Sequence, residues 1–588
     1  MASPPPPPPP PLLLIPKPDP DAPPAPKGDP LLPPLPPYHP ELFHLLRQDH
    51  PDLAAQWLLL STQSQSQSQS QSQPDPSSSA AAKKRARKEM VRITNLSIPD
   101  HLHYRSLVRR TRLTFEALRA VYQRQDQATA RNRSDLRASS QMLSKGLWMH
   151  RGVRVVGSIP GVQVGDAFFY RAELCVLGLH TAPQAGIAYI PDSIVGQNDC
   201  PIATSIVSSG GYLDDDDSAT GNVLVYTGSG GRPRNRVHHS ADQTLERGNL
   251  ALHNSCLYGI EVRVVRGHAC DNSPSRKVYV YDGLYRVAKS TIGPGKSGRD
   301  VCKFTLLRLD GQDDIGSKTW RDAKELKQVL DARIRPPKYI SLDIAKGKEL
   351  FRVPVYNNLD DDRMPLLYDY ICRPDFPGLV KRQRGCHCAE ACGSRCSCER
   401  KNRGPSPVYT LDGILLRGRP VVYECGDQCG CPLTCPNRLT QRGMKHRLEV
   451  FRSKETGWGV RTLDLIQPGA FVCEYAGDVL SLDKPPPPDG SFVFDPTKFP
   501  ERWREWGDAS AVFPDKGPQF SSFTGVRYRL DVSKRRNLAG YICHSRTPNV
   551  FLQYVVRGNE DEAYPHLMVF AMETIPPMRD LNIDYGLS

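Results

Sequence analysis

Nine of the 17 cysteines in this 588-residue chain are crowded between positions 386 and 435. The first group is Cys386, Cys388, Cys392, Cys396 and Cys398, and after a gap Cys425, Cys429, Cys431 and Cys435 repeat its one- and three-residue spacings. Thiols this close along a chain cannot all pair as disulfides without strain, whereas closely spaced thiolates suit tetrahedral Zn²⁺. Three such ions need about twelve ligand positions, which nine cysteines supply if three of them bridge two metals each. Structural zinc is therefore favoured over a disulfide or iron–sulfur reading. A saturated thiolate shell leaves no open coordination position, so the cluster holds shape and carries no hydrolytic chemistry.

The rest of the chain divides around this cluster. Its length is too great for one core and predicts three or four domains. A formal net charge of +14 favours a polyanionic partner such as nucleic acid, with a merely basic protein as the alternative. The apolar run Leu12–Ile15 is flanked by prolines without a preceding basic region, and no stretch approaches the ~18 apolar residues of a membrane span, so a soluble intracellular protein is expected. Twenty of the first 40 residues are proline, and glutamine alternates with serine from Gln63 to Gln73. Residues 1–88 are accordingly expected to be a disordered Pro/Ser/Gln-rich tail. It ends in the basic patch Lys83, Lys84, Arg85, Arg87 and Lys88, which reads as a nuclear-localisation signal, a nucleic-acid grip or a solvated charge run.

A helical segment is expected over 95–147, where Val108, Thr111, Phe115, Leu118 and Tyr122 form one stripe. Packing inside the chain is favoured for it over a homodimer seam. From Gly157 to about Cys302 short apolar segments such as Cys175–Leu179 and Val262–Val265 alternate with Gly-rich turns at Gly210, Gly211 and Thr227–Gly231, which predicts a β-rich domain. A charged helix over Trp320–Leu330 precedes the cysteines. Strands then run from Leu448 to the end, around a surface insertion at Pro485–Pro488. The fold class is multidomain α+β: a helical segment, a β-rich domain over 148–310, a zinc-cluster module over 335–445 and a second β-rich domain over 446–588.

The cysteine spacing, together with Val422-Tyr423-Glu424-Cys425-Gly426 and Pro436-Asn437-Arg438, resembles the pre-SET module of suppressor-of-variegation-type histone lysine methyltransferases. Leu448-Glu449-Val450-Phe451-Arg452, Gly457-Trp458-Gly459-Val460-Arg461 and Phe471-Val472-Cys473-Glu474-Tyr475-Ala476-Gly477-Asp478 look like the opening of a SET domain. The resemblance implies S-adenosylmethionine as cofactor, with Gly457, Trp458, Cys543 and His544 at its site and Tyr585 as the catalytic tyrosine. Where the family reads Arg-Phe-Ile-Asn-His-Ser-Cys-x-Pro-Asn, this chain reads Gly540-Tyr541-Ile542-Cys543-His544-Ser545-Arg546-Thr547-Pro548-Asn549. A thiol at Cys543 is a weak hydrogen-bonding substitute for the family's amide. Arg546 replaces a cysteine that binds zinc with the post-SET segment, and only Leu587 and Ser588 follow Asp584-Tyr585-Gly586. Ile583 stands where an aromatic residue usually shapes the lysine pocket. A degenerate SET domain without post-SET is expected, with Tyr585 and His544 vestigial.

In the β-rich middle, Ser158-Ile159-Pro160-Gly161-Val162, Val164-Gly165-Asp166, Gly178-Leu179-His180, Ser209-Gly210-Gly211-Tyr212, Tyr226-Thr227-Gly228 and Tyr281-Asp282-Gly283 resemble the SET-and-RING-associated (SRA, or YDG) domain. SRA followed by pre-SET and SET is the order of the plant branch of the family. The resemblance implies recognition of methylcytosine by base flipping, which needs stacking faces and an acceptor for the cytosine amino edge. Tyr212, Asp214 and Tyr226 match the pocket positions, and Gln184 is the candidate to fill the vacated stack. Asp215–Asp217 are alternatively a solvated turn. Arg232, Arg234 and Arg236 are candidate phosphate contacts, or an ordinary exposed loop.

The expectation is a nuclear chromatin protein that reads methylated DNA and carries a non-catalytic SET scaffold. Its implied partners are histone H3 and, by resemblance, the remodelling complex and RNA polymerase of RNA-directed DNA methylation. The alternatives are an active histone H3 lysine-9 methyltransferase and a structural chromatin protein indifferent to methylation.

Overall fold

The computed structural model describes residues 89–587 except 126–132, 194–199, 210–215, 218–219, 232–239, 272, 274, 378–384, 391, 394–395, 403–406, 484, 486–491, 517–519 and 559–560. The N-terminal tail with its basic patch, most of the Pro485–Pro488 insertion, and Tyr212, Asp214, Arg232, Arg234 and Arg236 thus lie outside the described residues.

Helix α1 (Ile98–Gln125) begins where the Ser97 and Asp100 side chains cap one another's backbone N–H, at 3.0 and 3.3 Å, with Pro99 in the first turn where its missing N–H costs nothing. The expected stripe of Val108, Thr111, Phe115, Leu118 and Tyr122 is buried along its length. The lower half packs on α2 (Ser134–Ser144) through Ala138 and Met142, so internal packing takes up the stripe. The same helix buries Arg105 and Arg112, which an apolar period does not register. Arg105 meets Asp166 at 2.6 Å and Glu573 at 3.2 Å, Arg109 meets Glu573 at 3.1 Å, and Arg112 meets it at 3.4 Å. One helix is thereby bound by charge to both β-rich regions.

The β-rich middle is an eight-stranded sheet in the order 187–193, 200–208, 261–269, 277–294, 300–308, 223–227, 216–217, with 167–168 paired to 277–294. Strands 200–208 and 261–269 run parallel, joined by a crossover that contains α4 (Arg247–Leu257). One sequence expectation is corrected here. Cys175–Leu179 is not a strand: α3 (Arg171–Val176) takes its first half, because the Glu173 carboxylate accepts the Phe169 and Tyr170 N–H groups at 3.0 Å each and nucleates a turn. A short apolar run without alternation fits either state. Asp216 and Asp217 pair in a strand with Val225 and Leu224, so the alternative of a solvated turn does not hold for these two.

The Tyr281-Asp282-Gly283 motif acts as a joint. Asp282 accepts from Arg266 at 2.7 Å and from the Ser317 N–H at 2.8 Å, at the start of α5 (Gly316–Asp331), the charged helix expected from sequence. Gly283 has φ +102°, and a Cβ there would lie 2.4 Å from Gln312 Oε1. Only glycine fits both conditions.

The C-terminal half consists of small sheets around two cores, one including Val450, Val460, Tyr475, Tyr528 and Leu538 and the other including Phe471, Trp503, Phe551 and Phe570. Strand 422–424 of the cysteine-rich module pairs in parallel with 550–557, so the two regions share a sheet. Near the C-terminus, 582–583 pairs with 543–544 and carries Tyr585 back against Ile542. Among the described residues no helix is long and apolar enough to cross a membrane.

Candidate functional sites

Tyr226 is buried on strand Val223–Thr227. Its hydroxyl points at Gly186, where a Cβ would lie only 2.6 Å away. Gln184 is exposed two residues earlier in the same loop. That loop is tied down at Ala185, whose carbonyl accepts from His180 Nε2 at 2.9 Å and from Arg171. Burial holds the His180 pKa down to about 3, so the imidazole is neutral. With Nε2–H donating to Ala185, Nδ1 accepts from the Ser205 hydroxyl at 3.1 Å. The structure therefore brings Gln184's loop and Tyr226 to one place. Asp216, paired to Val225 beside Tyr226, follows Tyr212 and Asp214 in the chain. Gly186→Ala is expected to cost about 1–3 kcal/mol, because the new methyl must displace the Tyr226 hydroxyl. Gly293→Ala, with nothing within 4 Å of its Cβ, should stay within about 0.5 kcal/mol in the same thermal melts.

The cysteine sulfurs form three groups in which every Sγ lies within 4.8 Å of the others: Cys386, Cys398, Cys425, Cys429; Cys386, Cys392, Cys396, Cys425; and Cys392, Cys425, Cys431, Cys435. Sulfur–sulfur distances of 3.6 Å for Cys386–Cys392, 3.5 Å for Cys392–Cys425 and 3.7 Å for Cys398–Cys429 are far beyond a disulfide bond. They approach the ~3.8 Å edge of a tetrahedron with metal–sulfur bonds of about 2.3 Å. Donors reach the sulfurs too: Asn437 Nδ2 to Cys425 at 3.5 Å, Arg438 Nε to Cys431 at 3.4 Å and the Gly426 N–H to Cys429 at 3.4 Å. Such second contacts stabilise thiolate over thiol. The cluster fits zinc. One detail departs from expectation: Cys425 joins all three groups and Cys388 joins none.

In the C-terminal region the residues expected at a cofactor site do come together. Gly457 takes φ +79°, and the Cys543 thiol lies 3.6 Å from the Trp458 carbonyl oxygen, to which it donates. The Trp458 indole is committed elsewhere, donating to Asp362 at 2.9 Å. His544 Nδ1 accepts the Tyr585 N–H at 3.2 Å, and the Tyr585 hydroxyl donates to the Ile542 carbonyl at 2.8 Å. Asn549, fully buried, accepts from the Asn582 N–H at 2.8 Å and donates to the Asp580 carbonyl at 2.7 Å, pinning the two segments. Sequence reasoning missed the aromatic wall: Phe494 and Phe499 flank Tyr585 at 5.3 and 5.4 Å between ring centroids, and the Tyr475 hydroxyl is 3.5 Å from that of Tyr585. No local pattern marks Phe494 and Phe499, which lie in irregular sequence around the insertion.

Three family patterns match the chain in order: the SAD/SRA domain over residues 155–312, the Pre-SET motif over 345–438 and the SET domain over 457–586. The Arabidopsis thaliana histone-lysine N-methyltransferase family member SUVH9 is 45% identical over 516 residues, covering 85% of this chain and 78% of its own. This chain belongs to the SUVH family. The crystal structure of SUVH9 superposes with a TM-score of 0.73 at 44% identity, covering 83% of this chain and 99% of that one. KRYPTONITE, crystallised with mCHH DNA, an H3(1–15) peptide and SAH, gives a TM-score of 0.65 at 31% identity and covers 82% of this chain and 94% of its own. The architecture of a SUVH protein is thus present here: SRA, pre-SET with its cysteine cluster, and SET.

Proposed function

We propose that this SUVH protein reads methylcytosine in DNA through its SRA domain and uses its SET domain as a scaffold in nuclear chromatin. The observation that carries the reading is the buried Tyr226 held against the His180-anchored loop that presents Gln184. A flipped base needs an aromatic wall, a polar edge and a side chain to take its place in the stack. Tyr226, Asp214 with Tyr212, and Gln184 fill those roles. KRYPTONITE's complex with methylated DNA supports the assignment. Three zinc ions on nine cysteines, with Cys388 turning in to take one of the places of Cys425, complete the pre-SET module. Histone H3 and the silencing machinery of RNA-directed DNA methylation are the partners this reading implies.

Matched duplexes differing only in 5-methylcytosine should bind the full chain with at least about a tenfold preference for the methylated form at fixed salt. Asp214→Ala and Tyr226→Ala should abolish the preference while leaving residual, salt-sensitive binding, with thermal melts confirming that each variant folds. Equal affinity of the wild type for both duplexes would overturn the reading. The intact Tyr585–Tyr475–His544 arrangement favours a second reading, histone H3 lysine-9 methyl transfer. Methyl incorporation into an H3 peptide, lost in Tyr585→Phe, would establish it.

A further inference from the structure

Arg536 ends the strand Tyr528–Arg536 with 4% of its surface exposed. Among the described residues its Nε and Nη2 make no hydrogen bond. Instead the guanidinium carbon sits 3.6 Å from the ring centroid of Tyr368, 5.4 Å from that of Tyr541 and 5.6 Å from that of Phe492. A charge buried without a carboxylate is costly, and ring faces offset only about 0.5–2 kcal/mol each. The same kind of aromatic box recognises alkylated onium cations.

Room for this side chain comes from Gly540. A Cβ at that position would lie 3.3 Å from Arg536 Cδ and 3.6 Å from its Cβ. The stem of Arg536 thus occupies the space that any side chain at 540 would enter. The signature carries arginine at 540, where this chain has Gly540. The box adjoins the signature itself: Tyr541 lines it, the Ile542 carbonyl takes the Tyr585 hydroxyl, and the Cys543 thiol is turned to Trp458.

We propose that Arg536 is an internal plug whose guanidinium fills an onium-binding box and so shuts S-adenosylmethionine out of this SET domain. The residues present do not fit that cofactor: a cation already fills the aromatic box beside the signature, and a thiol stands where the signature has an amide. The inference rests on the scaffold part of the reading above and is independent of methyl-base recognition.

Binding of S-adenosylmethionine and of its neutral thioether, S-adenosylhomocysteine, is measured by calorimetry on the full-length wild type and on Arg536→Gly/Gly540→Arg. The wild type should show no saturable binding, and the double variant should gain at least about tenfold, more for the sulfonium than for the thioether. Zinc content and methyl-DNA binding serve as folding controls. Wild-type binding as tight as the variant's would overturn both the plug and the scaffold reading. A folded double variant without gain would overturn the plug alone. Should the double variant not fold, Arg536→Ala tests the box directly: tetramethylammonium should raise its melting temperature relative to sodium at equal ionic strength, and not that of the wild type. No difference between the two proteins would overturn the proposal.

Discussion

Removal of metal with a strong chelator should unfold residues 345–438 while the SRA domain keeps its protease resistance, and intact protein should contain three zinc ions by elemental analysis. The expected effect is large because metal binding to such thiolate sets is worth about 10–16 kcal/mol and is spent largely on folding. Cys386, Cys396, Cys398, Cys425, Cys431 and Cys435 form a buried cluster of their own. The damage should spread, since the Glu424 carboxylate next to Cys425 accepts from Tyr409 at 2.9 Å and from the Thr440 N–H at 2.9 Å, and its strand joins the SET sheet. Cys425→Ser, which touches all three sulfur groups, should therefore lose the most zinc and melt lowest. Cys388→Ser, which in the proposed arrangement removes one terminal ligand from a single ion, should lose less. A metal-free protein with an unchanged melt would remove the cluster from its structural role.

The cluster was legible from sequence because its signal is local: spacing alone restricts which sulfurs can meet. The helical stripe was legible for the same reason, since Val108, Phe115 and Leu118 repeat at helical spacing. What lay hidden depends on partners far along the chain. Arg105 and Arg112 look like solvated charges until Glu573, more than 450 positions away, closes on them. Arg536 looks like one more residue of a basic run until Tyr368 and Phe492 enclose it. Cys175–Leu179 was misread because its strongest determinant, the Glu173 carboxylate capping two backbone N–H groups, is polar and invisible to hydropathy. Gly186 carried no motif of its own; its constraint is the Tyr226 hydroxyl from another strand.

Glu573→Gln should destabilise the protein by about 3–5 kcal/mol, the usual cost of breaking a buried ion pair and leaving the other charge unpaired. Among the described residues Glu573 is the acid that pairs with Arg109, and it shares Arg105 with Asp166, while Arg112 also reaches Glu173 at 3.7 Å. The carboxylate belongs to the SET match, Asp166 to the SRA match and the arginines to α1, so neutralising it should loosen the SRA–SET junction before either domain melts. Burial by itself would raise the Glu573 pKa; the guanidiniums of Arg109, Arg105 and Arg112 overrule it and hold it well below its ordinary 4.5. A folded-state pKa below the unfolded one means that the ionised form stabilises the fold. That contribution is present above about pH 4.5 and is lost as pH falls toward the folded-state value. Unfolding free energies of the wild type from urea titrations should accordingly drop between pH 5 and pH 3 by about 2 kcal/mol, and those of Glu573→Gln should drop less. Replacing Glu573, Arg109 and Arg112 together with leucine or methionine should recover much of the lost stability, because a packed apolar cluster needs no counter-charge. Parallel pH dependence in wild type and Glu573→Gln would place the acid-sensitive group elsewhere, with Asp166 and its partners Arg105 and Arg579 the next to test.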